Sequence, residues 1–122
     1  MSKNSKFPTI FESLKSILSE YTDYLELVTD DPDEFYLNTR YMMKNKKVLF
    51  FGTVQIKKNY VAFHLMPVYV FPELLSDISP ELKQRMQGKS CFNFKSHDEE
   101  LFDEVSSLTL AGFQRYKDAG YV

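Results

Sequence analysis

The sequence predicts an α+β domain in which an N-terminal and a C-terminal helix pack on one face of an antiparallel sheet of about five strands. Apolar residues recur with helical spacing near both ends of the chain and alternate with a period of two through its middle. Clusters of Asp, Asn, Lys and Pro separate the alternating segments. The 122 residues, 43% of them hydrophobic, suffice for a single domain with one modest core.

The first helix is predicted over residues 9–23. Six apolar side chains line one face of it at spacings of three and four: Ile10, Phe11, Leu14, Ile17, Leu18 and Tyr21. Thr9 and Glu12 fit a capping box, in which a hydroxyl and a carboxylate accept hydrogen bonds from free amides at the helix start. Pro8 is typical of the extended residue before such a helix.

Four strands are predicted next, over residues 24–29, 34–41, 48–57 and 60–66. The first two flank an Asp-rich turn at residues 30–33, and the last two form a hairpin through Lys57-Lys58-Asn59. One face of the third strand should pack on the helices, and its members are Val48, Phe50, Gly52, Val54 and Ile56.

The C-terminal half is predicted to contain a short helix, a short strand and a long helix. Ser79 is an expected cap before Pro80, with Gly88 as the stop, and residues 91–95 form the strand. A second capping box, Ser96 with Glu99, opens the long helix. Its apolar stripe is Leu101, Phe102, Val105, Leu108, Gly112, Phe113 and Tyr116.

Two glycines of the long helix have predicted roles. Gly112 lies on the apolar stripe, where the missing side chain should let the helix approach the sheet closely. Gly120 should end the helix.

Charge and cysteine content exclude several classes of protein. Fifteen Lys plus Arg against 17 Asp plus Glu give a net charge of -2, which argues against a nucleic-acid-binding domain. The single cysteine, Cys91, cannot form an intrachain disulfide or a Cys-based zinc site, which suits a reducing compartment. Residues 1–7 resemble neither a secretory signal nor a membrane anchor. A cytoplasmic protein with no membrane association is therefore expected.

No motif for catalysis is apparent. The four glycines are isolated from one another, so no phosphate-binding loop is predicted. Cys91, His64 and His97 have no local signature that would place a nucleophile beside a base. An inert thiol and a hydrogen-bonded histidine are the expected states, and we predict that the protein is not an enzyme; the alternative is an enzyme that uses Cys91 or His64.

Tyrosines in or beside the strands are candidates for the wall of a ligand cleft, because each combines an apolar ring with a polar tip. The candidate ligand-binding residues are Tyr41, Lys58, Tyr60, His64 and Tyr69. The alternative interpretation is that these are ordinary half-exposed sheet residues.

Acidic residues are concentrated between positions 20 and 34. Carboxylate oxygens suit hard or borderline cations, but the spacing is not that of a calcium loop. Asp-rich turns also form because Asp accepts local amide hydrogen bonds, so a solvated turn is the simpler interpretation.

Two blocks of sequence carry a resemblance to a known family. The first runs through residues 41–51 (YMMKNKKVLFF) and 56–64 (IKKNYVAFH), and the second is residues 88–95 (GKSCFNFK). They resemble the small bacterial YdhG-like domains of unknown function, and residues 1–122 would then form a single YdhG-like domain. The resemblance implies a frataxin-like fold. A branch of that family is described as iron chaperones, which implies carboxylates on the first helix and an early strand that present iron.

Two hypotheses for function follow. The first is a non-catalytic binding domain that holds a small molecule or a protein partner in a tyrosine-lined cleft or on a sheet edge; a homodimer is one such assembly. The second is iron delivery, the only cofactor chemistry implied, by Glu20, Asp23, Glu26, Asp30, Asp31 and Glu34.

Overall fold

The computed structural model describes residues 6–122, which fold into four α-helices, two short 3-10 helices (Thr22–Tyr24 and Pro72–Leu75) and five strands. The helices are α1 (Phe7–Ser19), α2 (Pro67–Val70), α3 (Pro80–Lys83) and α4 (Glu99–Asp118). The strands are β1 (Glu26–Asp31), β2 (Glu34–Met42), β3 (Val48–Ile56), β4 (Val61–Leu65) and β5 (Cys91–Phe94). Most of the leader segment considered above, residues 1–5, lies outside the described residues. No helix between residues 6 and 122 is both long and apolar enough to cross a membrane.

The five strands form one antiparallel sheet in the order β1-β2-β3-β4-β5, so each strand pairs with its neighbours in sequence. Helices α1 and α4 cover the same face of this sheet. The ring of Phe51 in β3 contacts Tyr21 just after α1 and Phe113 in α4, at centroid distances of 5.9 and 6.2 Å. The predicted α+β architecture is confirmed.

The buried apolar side chains form one cluster between the two long helices and the sheet. The predicted stripe of α4 is buried throughout, and so is the stripe of α1 from Ile10 to Leu18. Alternate residues of β4 and β5 complete the cluster from the sheet side: Val61, Phe63, Leu65, Phe92 and Phe94. Burial on this scale is the main stabilising contribution to a small fold.

The predicted inward face of β3 is wrong at its N-terminal end. Leu37 of β2 pairs with Gly52, but the next residue, Asn38, pairs with Phe50, so Phe51 is an extra residue in β3. Such a β-bulge shifts the alternation of side chains by one position. Phe51 and Leu49 therefore face the helices, whereas Phe50 points to the opposite side of the sheet. After the bulge, Val54 is buried as predicted.

Both predicted capping boxes are wrong. Helix α1 begins at Phe7 with Pro8 in its first turn, where a missing amide costs nothing, so Thr9 lies inside the helix. Helix α4 is capped by Asp98, whose carboxylate accepts a hydrogen bond from the Leu101 amide at 3.1 Å. Asp competes well with Ser as a cap, and here it stands two residues later.

The predicted cap of the short helix is confirmed, but its predicted stop is wrong. The Ser79 hydroxyl accepts a hydrogen bond from the Leu82 amide at 3.1 Å. Helix α3 then ends at Lys83, well before Gly88, because the chain turns back to place Met86 opposite Phe92 of β5.

Of the two glycine predictions for the long helix, one is confirmed and the other needs correction. A Cβ atom on Gly112 would lie 2.7 Å from Cβ of Pro67, so the close approach is to α2 rather than to the sheet. Gly120 has a φ of +84° and ends α4 as predicted, with hydrogen bonds from Gly120 N to Lys117 O and from Tyr121 N to Tyr116 O.

Candidate functional site

The sheet face opposite α1 and α4 has no element packed on it among the described residues, and we call it the open face. Strand register places its side chains in rows. One row runs across β2 to β5 as Tyr36, Thr53, His64 and Cys91, and a second as Glu34, Gln55, Ala62 and Asn93. Most of these residues are half-buried although nothing covers them.

Aromatic rings occupy the middle of the open face. The ring of Phe50 lies 4.8 Å from that of Tyr36 and 5.2 Å from that of His64, the latter edge-on at 87°. Thr53, which lies between Tyr36 and His64 in its row, is 5% exposed and donates its hydroxyl hydrogen to the Phe35 carbonyl at 2.7 Å. The rings of Tyr36, Phe50 and His64 therefore form a continuous aromatic strip, and the buried, hydrogen-bonded Thr53 lies in the sheet beneath it.

His64 is fixed at one end of the aromatic strip. Its Nε2 lies 2.5 Å from the hydroxyl oxygen of Ser90, the residue that precedes β5. Burial lowers the pKa of His64, because the imidazolium form loses hydration at this position. The histidine is therefore neutral at pH 7.

Cys91 lies beside His64 in the same row but is not activated by it. Burial raises the pKa of the Cys91 thiol, and the positive charge of Lys57 opposes this shift only in part. The thiol donates a long hydrogen bond to Oδ1 of Asn93, at 3.5 Å. A thiolate paired with an imidazolium, the usual reactive arrangement, would require the opposite pKa shifts at both residues.

Opposite charges lie at the two sides of the open face, near the end where β3 and β4 are joined. Asp31 and Glu34 lie on the β1 and β2 side, in the row that contains Gln55. Lys95 is the residue immediately after β5. Side chains alternate between the two faces of a strand, so Lys95 shares the open face with Cys91 and Asn93. One side is therefore acidic and the other basic, with the aromatic strip between them.

The predicted ligand-binding residues do not form one cleft. His64 lies in the centre of the open face. Lys58 and Tyr60 lie at the turn that joins β3 to β4. Tyr41 and Tyr69 lie towards the other end of β3, about 25 Å away along a nine-residue strand. Tyr41 stacks on Tyr121 at 4.7 Å, while the exposed ring of Tyr69 lies 6.0 Å from the Lys89 ammonium.

The predicted iron ligands are also dispersed. Asp30 pairs with Lys15 at 2.8 Å and Glu26 with Arg40 at 3.6 Å. Glu34 accepts a hydrogen bond from Gln55 at 2.9 Å, whereas Glu20 and Asp23 lie between α1 and β1. Within residues 6–122 no three His, Cys, Asp or Glu side chains converge to hold a metal ion. Iron delivery stays a prediction of the sequence, without a ligand set in this part of the chain.

Sequence reasoning missed several residues of the open face as site candidates, above all Phe50 and Ser90. The alternation in β2 and β4 places Tyr36 and His64 on definite sides of their own strands, which is a usable signal. No local sequence pattern indicates the bulge at Phe51 or the strand register that brings these residues together.

Comparisons of the chain with protein-family models, with curated proteins and with solved structures find no match.

Proposed function

We propose that the protein is a non-catalytic binding domain that associates with a second copy of itself through the open face. The observation that carries this proposal is the aromatic strip of Tyr36, Phe50 and His64, which lies in the middle of a sheet face that no other described element covers. Aromatic side chains are enriched at the centres of protein interfaces, where their burial contributes most of the binding energy.

The state of the titratable groups supports binding rather than catalysis. His64 has a lowered pKa and Cys91 a raised pKa, so both are uncharged at neutral pH. Uncharged, partly buried groups lose little hydration when a partner covers them. The Cys91 thiol lacks the thiolate form that nucleophilic attack by cysteine requires.

The charge pattern favours a second copy as the partner. A two-fold axis parallel to the strands, between two stacked open faces, would place the β1 side of each copy over the β5 side of the other. Asp31 and Glu34 of one copy would then lie near Lys95 of the other, and the reciprocal contact would form as well. Complementary edges of this kind fix the orientation of a complex.

Pairing through the sheet edge is less favourable than pairing through the open face. The outer edge of β5 is already bonded to the chain, from Asn93 N to Arg85 O and from Gln87 N to Cys91 O. The outer edge of β1 carries Glu26, Asp30 and Asp31, and antiparallel pairing of two copies would bring these like charges together.

The size of the open face predicts a weak dimer. Five strands about 4.8 Å apart and about 20 Å long give a face of about 400 Å² in projection. A standard interface buries ~800 Å² of accessible surface on each partner, so a face of this extent belongs with the small, transient class of interfaces. A dissociation constant on the order of 10 to 100 µM is therefore expected.

Analytical ultracentrifugation from 10 µM to 1 mM tests the proposal, because the range brackets the expected dissociation constant. Tyr36→Ser should weaken the dimer at least tenfold, whereas Tyr24→Ser, which removes a 61% exposed tyrosine away from the open face, should leave it unchanged. A folded chain that stays monomeric at 1 mM would overturn the proposal. A dimer equally strong in both variants would assign the association to another surface.

A charge swap tests the orientation. Asp31→Lys and Lys95→Asp should each weaken the dimer about fivefold to tenfold, because each substitution occurs twice in a two-fold assembly. The double variant should restore much of the affinity at low salt, and 0.5 M NaCl should remove the differences. If the double variant associates no better than the single ones, the proposed axis is wrong.

A further inference from the structure

A second site lies away from the open face, at the end of the sheet where β2 turns into β3. It is a cleft of about 280 Å³ lined by Tyr41, Met43, Lys44, Leu49, Val70 and Tyr121. The residues come from the end of β2, the β2–β3 connection, the start of β3, α2 and the segment after α4, so only the folded chain brings them together.

The cleft has an apolar floor and an aromatic wall. Leu49 is buried and Met43 is packed against the core, and they form its base. Tyr41 and Tyr121 stack at 4.7 Å and 45°, and Tyr121 is itself held edge-on against the buried ring of Tyr116 at 5.4 Å. This second contact fixes the wall in a preformed orientation, which lowers the entropic cost of binding.

The polar groups of the cleft specify the charge of its ligand. Lys44 is the single charged residue among the six that line it, and no carboxylate is among them. The hydroxyls of Tyr41 and Tyr121 make no hydrogen bond to another described residue. A cation at the rim and two hydroxyls above an apolar base fit a carboxylate attached to a small apolar body.

We propose that this cleft binds a small aromatic or branched aliphatic carboxylate of about ten non-hydrogen atoms. The volume is slightly below the range of drug-sized sites, which begins at about 300 Å³, and so limits the ligand to this size. The ring or branched chain lies between the tyrosine wall and Val70, and the carboxylate meets the Lys44 ammonium. The site is independent of the dimer proposed above.

A second cavity, of about 370 Å³ between the end of α1 and α4, gives no such assignment. Its lining includes Tyr24 and Phe113, but it also contains both Glu20 and Lys117. Because an acid and a base both border it, its charge does not distinguish one class of ligand from another.

Three probes of similar size and different charge test the proposal: 3-phenylpropionate, 3-phenylpropanol and 3-phenylpropylamine. Titrations of the ¹⁵N-labelled chain followed by amide chemical shifts should give a dissociation constant of about 1 mM or below for the carboxylate. The amine should bind at least tenfold more weakly, with the alcohol between them. The shifts should be centred on Met43, Lys44 and Tyr121.

Two variants, each with a matched control, test separately whether ligand binding depends on the free volume of the cleft and on the charge of Lys44. Val70→Trp should fill the cleft and weaken carboxylate binding at least tenfold, while Val28→Trp, at an exposed position in β1, should have no effect. Lys44→Gln should remove most of the preference for the carboxylate over the alcohol, and Lys46→Gln in the same turn should preserve it.

Three results would overturn the proposal: equal affinity for the three probes, no change on Val70→Trp, or shifts centred elsewhere. Titration of the Tyr36→Ser variant at 20 µM protein, where the weakened dimer is largely dissociated, keeps the outcome separate from that of the open face.

Discussion

The hydroxyl of Tyr116, in the last helix, donates a hydrogen bond to the backbone carbonyl of Phe50 in the central strand, at 3.0 Å. The acceptor stands next to the bulge at Phe51, where the regular pairing of β2 and β3 is interrupted. The bond thus joins α4 to the sheet at the point where the side-chain alternation shifts. Tyr116 is fully buried, so no solvent can replace this donor if it is removed.

Tyr116→Phe should lower the free energy of unfolding by about 1 to 2 kcal/mol, because it removes the hydrogen bond to the Phe50 carbonyl while preserving the buried ring. Urea denaturation followed by circular dichroism measures the difference. The control is Tyr24→Phe at an exposed ring, where we expect a change within about 0.5 kcal/mol. Equal effects in both variants would show that the bond contributes nothing to stability.

The raised pKa of Tyr116 leads us to expect that the protein loses stability in alkali. Burial raises the pKa of Tyr116 far above its ordinary value of 10.0. Its protonated form is favoured in the folded state, so its contribution is complete below pH 10 and declines as the pH rises further. The difference in unfolding free energy between the native chain and Tyr116→Phe should therefore narrow above pH 10. A difference independent of pH between 8 and 11 would contradict this reasoning.

His64 predicts a second pH dependence, of opposite sign. Because burial lowers its pKa in the folded state, the unfolded chain binds a proton more readily. Stability should therefore fall as the pH drops below about 6.5, the ordinary pKa of histidine. Unfolding measurements between pH 4 and 8 on His64→Gln should show a shallower acid decline, while His97→Gln, which retains His64, should keep it. Identical acid profiles in the two variants would reject the assignment.

Gly112→Ala should destabilise the fold by about 1 to 3 kcal/mol, although alanine is the better helix former by about 1 kcal/mol. The added methyl would lie 2.7 Å from Cβ of Pro67, whose ring cannot rotate away. The control is Ser107→Ala at an exposed position of the same helix, which should be neutral or slightly stabilising. Thermal denaturation of the two variants decides whether packing or helix propensity dominates at Gly112.

Glu104 of α4 holds the start of α3. Its carboxylate oxygens accept hydrogen bonds from the backbone amide and the hydroxyl of Ser79, both at 2.6 Å. Glu104→Ala should cost about 1 to 3 kcal/mol, since hydrogen bonds to a charged group are stronger than average. Hydrogen exchange at Leu82 should quicken in this variant, and Glu100→Ala, one turn earlier, should leave that exchange unchanged. Unaltered exchange at Leu82 in both would show that Glu104 does not support the cap.

The parts of the fold that depend on local chemistry could be predicted from the amino-acid sequence. The helical stripe of α4, the alternation in β4, the Ser79 cap and the Gly120 stop were all predictable, because each involves residues within one or two turns of one another. Where two local signals competed, as with Ser96 and Asp98, both residue types are good helix caps and local chemistry did not distinguish them.

The faces that the central residues occupy, and the contacts between residues distant in sequence, follow only from the folded chain. One extra residue at Phe51 turned Phe50 from the predicted core to the open face, and strand register placed His64 beside Ser90. Packing of the segment after α4 brought Tyr121 onto Tyr41. These contacts depend on bulges, register and helix docking, which arise from the balance of packing over the whole chain and therefore leave no periodic trace in the sequence.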